Sequence, residues 1–274
     1  MKRTAAAPGL VALGLAAILV GSTAAAPAPV ETGPIGPARM SAIVREIASD
    51  AYEGRSPGTP GEAKTVAYLI ARLKALGLEP GGEHGGWTQD VPLVRYEVAG
   101  TPKIRLRVGD WIQPLAQTGD VLVQTLGPQD HVRIEAAPLV FVGYGVHAPE
   151  RGWDDFKGVD LKGKIAVFLV NDPDFEAKPG DDAYGRFGGQ AMTYYGRWTY
   201  KYEEAARRGA LGAIIIHETP AAGYGWGTVQ ASNSESSDIV RPDPAKAHTL
   251  IQAWLQRDVA ADLFRRAGLD LDQL

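Results

Sequence analysis

Two apolar, β-branched runs separated by one helical segment constrain this chain most. The first is "GKIAVFLV", whose strand is expected over 165–170, and the second is "LGAIIIH", ending at His217. Both are continuous apolar runs, as buried strands are. Between them lie a loop rich in Asp, Gly and Pro (171–189) and the helical pattern "WTYKYEEAARRGA", stopped by Gly209. A buried strand, a helix and a second buried strand make a βαβ unit, which places the chain in the α/β class.

The flanking sequence is β-rich on one side and mixed on the other. "WTQDVPLVRYEV", "KIRLRV", "DVLVQTL" and "PLVFVGYGV" are short and strand-like, with turn residues between them. Past Trp226, "QASNSESSD" is a polar loop, and "IQAWLQRDVAADLFRRAGLD" is expected to end the chain as a helix. Val259, Leu263 and Phe264 would be its inner face, with Gly268 as its stop.

Two helices are expected nearer the N-terminus. Met40, Ile43, Val44 and Ile47 recur at helical spacing. In "EGRSPGTPGEAKTVAYLIARLKALGLEP", Thr59-Pro60-Gly61-Glu62 occupy N-cap, N1, N2 and N3 of a capping box. Val66, Leu69, Ile70, Leu73 and Leu76 form the apolar stripe of that helix, and Gly77 stands at C′.

The first residues have the pattern of a secretory signal. Lys2 and Arg3 precede an apolar stretch from Gly9 to Val20, too short to span a bilayer comfortably, and Ser22 to Ala26 are small. The expectation is a signal peptide over 1–25, a Pro/Gly-rich leader over 26–37, and export to a periplasm or the medium without a membrane anchor after cleavage. There is no cysteine, which excludes disulfides, lipoprotein anchoring and thiolate metal sites. Loss of Lys2 and Arg3 leaves 26 Lys+Arg of the original 28 against 32 Asp+Glu, a net charge of −6. That balance argues against nucleic acid as a partner.

Spacing separates the chemistry-bearing candidates. Lys64-Thr65 follows Ala63, not glycine, so it is no phosphate loop. His84, His131, His147, His217 and His248 show no H-x-x-x-H, H-x-H or H-x-D spacing, so no local zinc site can be assembled. Asp172 and Asp174 are either turn residues or a cation pair. No G-x-S-x-G elbow is present. The densest segment, Met192 to Glu204, sets Tyr194, Tyr195, Trp198, Tyr200 and Tyr202 around Arg197 and Lys201. It is either a helix start packed on its sheet or a substrate-facing edge.

Two segments carry a resemblance. Residues 49–80 resemble the N-terminal helical signature of the secreted di-zinc aminopeptidases, relatives of glutamate carboxypeptidases and glutaminyl cyclases. Residues 140–175, followed by 194–218, resemble the protease-associated (PA) domain that some members carry as an insertion. The resemblance implies a two-zinc exopeptidase acting on peptides, in which a zinc-bound water attacks the carbonyl and a glutamate is the base. It also implies that the ligands begin with an H-x-D segment downstream of the PA insertion, which this sequence does not contain. The expected organisation is therefore N-terminal helices of an incomplete zinc-peptidase α/β domain over 38–95, a β-rich PA-like domain over 96–235, and a return segment over 236–274. No catalytic or metal residue, and no zinc bound by this chain, is expected. Arg55, Tyr195, Arg197 and Tyr200 are the substrate-facing candidates. The alternative is a stand-alone exported PA-type module that binds protein or peptide without catalysis.

Overall fold

The computed structural model describes residues 35–233 and 235–274. The proposed signal peptide and most of the leader lie outside them. The chain forms two compact units that meet in sequence at Gln89 and Asp90.

The first unit contains α1 (Pro37–Ile47), a 3-10 turn (Asp50–Arg55) and α2 (Pro60–Ala75). The start of α2 follows its local chemistry with one shift. Thr59 Oγ1 accepts from Glu62 N at 3.4 Å, but Glu62 Oε2 reaches Gly58 N, at 2.6 Å, instead of the N-cap amide. Its end is a Schellman motif: Gly77 N bonds Lys74 O and Leu78 N bonds Leu73 O, with Gly77 left-handed at φ 77°. Gly61 is obligatory for a different reason. A Cβ there would lie 2.1 Å from Tyr52 O, so α2 can approach the 3-10 turn only without one. This unit has almost no interior: α1 buries no residue and α2 buries only Gly61. Leu69, Leu73 and Leu76 are exposed, as are Met40 and Val44 of α1, while Ile70 is half-buried.

The second unit is an α/β domain. Its elements in order are β1 (Leu93–Glu97), β2 (Ile104–Val108), β3 (Trp111–Leu115), β4 (Val121–Gln124), β5 (Leu139–Phe141), β6 (His147–Ala148), β7 (Trp153–Asp154) and β8 (Ile165–Leu169). Then come α3 (Trp198–Arg207), β9 (Gly212–His217), α4 (Thr219–Ala222), α5 (Trp226–Ala231), β10 (Glu235–Ile239), α6 (Pro244–Ala247), β11 (Ile251–Gln256) and α7 (Arg257–Arg266). The main sheet has the order β4-β11-β9-β8-β5. β5, β8, β9 and β11 run parallel, and β4 closes one edge antiparallel to β11. The β8–α3–β9 segment is the βαβ unit expected from the sequence.

Side-chain alternation splits the core into two layers. Ala166, Phe168, Ala213, Ile215 and Trp254 face α3 and α4, packing with Tyr202, Ala205 and Ala221. Val167, Ile214, Ile216, Ala253 and Leu255 face the other way, onto Leu263 and Phe264 of α7 and onto Leu106 and Leu115 of the β2–β3 hairpin. Because both faces are covered, no polar alternation is needed in β8 or β9.

Three sequence expectations change. "IQAWLQ" is not the front of the last helix; it is β11, paired in register with β9 from Ile251↔Gly212 to Gln256↔His217, and the helix starts at Arg257. Part of the polar loop is β10, paired antiparallel with β1 from Leu93↔Ile239 to Glu97↔Glu235. Residues 236–274 therefore do not form a separate return segment, because β11 is an inner strand of the second unit's sheet.

Candidate functional site

In open α/β sheets, ligands bind beyond the carboxyl ends of parallel strands. Here that edge is built from the segments after β5, β8 and β9, and buried polar residues organise it. Asn171, two residues past β8, is left-handed at φ 81°. Its backbone N donates to Gly196 O (3.1 Å) and its side-chain Nδ2 to Ala221 O (2.7 Å). The Asp172 carboxylate accepts from Thr193 N (2.6 Å) and Thr193 Oγ1 (2.7 Å). The Asp174 carboxylate accepts from Phe187 N (2.9 Å) and Gly189 N (3.1 Å). Asp172 and Asp174 are thus not solvated turn residues. Both are buried, and they pin the long 172–197 loop by its own amides.

Lys201, on α3, completes this network. It is fully buried, and its Nζ donates to Tyr144 O (2.6 Å) and Asn171 O (3.0 Å). Burial lowers its pKa to about 7, against the opposing pull of Asp172 and Asp155. Asp155 accepts from Val146 N and from Trp153 Nε1, both at 2.8 Å, and burial raises its pKa.

Above this network lies an aromatic layer. Tyr195 and Tyr200 meet edge-to-face at 5.2 Å, Phe187 stands 5.9 Å from Tyr195, and Trp153 stands 5.9 Å from Phe187. Each of three tyrosine hydroxyls is engaged: Tyr195 donates to Glu150 (2.6 Å), Tyr194 donates to Glu203 (2.9 Å), and Tyr200 accepts from His147 N (3.1 Å). Burial pushes the Tyr200 phenol up to about 12, so it holds its proton at physiological pH.

The four candidates from sequence separate accordingly. Tyr195 and Tyr200 come together as packing members of the layer, with Tyr200 buried and Tyr195 half-buried. Arg197 is exposed, and among the described residues its guanidinium has no hydrogen bond or ion pair. Arg197→Ala is expected to leave stability within about 0.5 kcal/mol of the parent, checked by urea denaturation. Arg55 belongs to the first unit. Its guanidinium donates to Ile47 O, one of the orphan carbonyls at the end of α1. Sequence reading did not single out Asn171 and gave Lys201 no partners; a lysine in the helix after a buried strand ending in Asn-x-x-Asp was the available signal.

Among the described residues, the second unit has two notable concavities. One of about 430 Å³ sits past β9 and β11, among His217, Glu218, Trp226 and Arg257. His217 Nε2 stands 3.1 Å from Tyr224 O. A carbonyl only accepts, so this nitrogen carries the proton, and burial lowers the ring's pKa. The other, an open cleft of about 1830 Å³, runs over the second sheet face, floored by Val167, Ile214 and Ala253. Among the described residues no three His, Asp or Glu side chains stand together as a metal site.

No protein-family model matches the chain, and no curated protein matches it. Among solved structures, an aminopeptidase from Aneurinibacillus sp. strain AM-1 is similar at 20% identity and a TM-score of 0.33. The match covers 82% of this chain and 42% of that one, so this chain spans less than half the length of that protein. A likeness of this degree carries no argument about activity.

Proposed function

We propose that this chain provides the N-terminal helices and PA-like domain of an exported zinc-dependent aminopeptidase, and that it does not cleave peptides alone. The carrying observation is the first unit. Both helices are amphipathic and α2 is capped at both ends, yet Leu69, Leu73 and Leu76 of α2 remain exposed. An amphipathic helix is stabilised mainly by burying its apolar face, and a contiguous exposed apolar patch marks a surface built to be covered. The sequence resemblance of residues 49–80 supplies the covering element: the rest of a peptidase α/β domain, which would hold both zinc ions. Peptides are the substrate class of that complete enzyme.

The second unit favours a second reading, because it has a two-layer core of its own. That reading is a stand-alone exported module that binds protein or peptide. Purified chain with added zinc is expected to show no turnover of an aminoacyl-p-nitroanilide; turnover would sink the first reading's claim of incompleteness. Genomic sequence beyond codon 274 separates the two readings. An open frame encoding an H-x-D segment supports the peptidase, whereas a stop codon with a stable exported product supports the module.

A further inference from the structure

We infer that Lys201 is a proton-operated latch that holds the 172–197 loop, and the aromatic surface it carries, in one conformation. The geometry begins with donor count. A lysine ammonium has three N–H donors, whereas two acceptors, Tyr144 O and Asn171 O, lie within reach of Nζ. A neutral amine has two N–H groups and matches that pair. Complete burial works in the same direction, because desolvation penalises the charged form. The charged and titratable groups facing the amine are few. Asp172 past β8 and Asp155 past β7 attract its charge. The Tyr200 ring on its own helix stands 5.7 Å from Nζ, and Tyr144 past β5 contributes its carbonyl.

The two carbonyls belong to the segments following β5 and β8, so one side chain ties both strand ends to α3. Asn171 is itself bonded to Gly196 and Ala221, and Asp172 to Thr193. Opening the loop therefore exposes Lys201, and exposing Lys201 requires leaving those bonds. The loop carries Tyr184, Met192 and Tyr194, all exposed, and leads directly into the exposed Arg197 and Trp198. The latch thus controls how the most aromatic surface of the domain is presented.

The direction of the pH effect follows from linkage. The closed form binds the proton with a pKa of about 7, and a solvated lysine with an ordinary value of 10.5. Between these values opening takes up a proton. Raising the pH through this window therefore disfavours opening, by up to about tenfold per pH unit. Below pH 7 both forms are protonated, so opening is easiest there and insensitive to pH through this group.

The test is hydrogen exchange of the full chain from pH 6 to pH 9, with rates corrected for intrinsic exchange, read at Thr193 and Gly196. The latch predicts protection that is flat below pH 7 and rises above it, by ten- to a hundredfold at pH 9. Lys201→Met is expected to abolish the rise. Should that variant fail to fold, Thr193→Val provides the second arm: it removes the Thr193 Oγ1 bond to Asp172, so protection falls at every pH while the rise above pH 7 persists. An Nζ titration by NMR gives the direct reading. A Lys201 pKa above 9, a rise that survives in Lys201→Met, or protection that is flat across the range in the parent chain overturns the proposal.

Discussion

Phe168→Ala is expected to destabilise the second unit by about 3–5 kcal/mol, the usual cost of emptying a buried aromatic site. Phe168 is fully buried on the inner strand β8, and its ring faces the backbone of Gly145, where a Cβ would lie 2.2 Å from Cε1. Gly145 is left-handed at φ 59°, and it lies in the segment past β5 that also presents Tyr144 O to Lys201. The ring therefore sets the spacing between two strand ends, and the cavity cannot close by a simple side-chain shift. Urea denaturation monitored on the second unit should show a lower midpoint with an unchanged slope. In a thermal scan the loss corresponds to roughly 6–20 °C for a unit of this size. A loss under about 1 kcal/mol would mean that the two strand ends relax freely, against the packing described here.

The second large effect is a difference in protection between the two units. Amides of α1 and α2 are expected to exchange at least about a hundredfold faster than those of β8, β9 and β11. The reason is the absence of an interior. α1 has an amphipathic sequence but buries nothing, and α2 is held to the 3-10 turn chiefly through Tyr52, Gly61 and a few bonds such as Lys64 Nζ to Ala51 O (2.7 Å). Helices of this length are marginal in water without tertiary burial. Capping at Thr59 and the Schellman turn at Gly77 define where α2 starts and stops, yet they contribute only about 1 kcal/mol each. Equal protection in both units would show that the first is complete as it stands. That result would remove the main support for the proposed peptidase role.

Elements with strong local instructions were legible in the sequence. The ends of α2 were, because an N-cap threonine and a C′ glycine act over a single turn. β8 and β9 were, because only a doubly covered strand sustains "IAVFLV" or "AIIIH". β10 and β11 were not. "ESSDI" carries no strand signal, and its conformation comes from ladder bonds to β1. "IQAWLQ" fits a helical period and a strand equally well, and the slot between β4 and β9 decides the matter. Of the candidate site, the aromatic pair Tyr195 and Tyr200 was visible as a cluster, with packing and a substrate-facing edge both open. Lys201 read as one of two cations among the aromatics, with no sign of its burial.

The sequence by itself determined the α/β class, the βαβ unit and both ends of α2, because these follow from periodicity and from hydrogen bonds a few residues apart. Only the tertiary structure decided which polar residues are buried. Whether Asp172, Asp174 and Lys201 meet water or amides depends on partners 13 to 57 positions away along the chain. Such partners leave no mark on local spacing. The same side chains that a reader of the sequence would assign to solvent or to a metal are the ones that hold the strand ends, the long loop and α3 together.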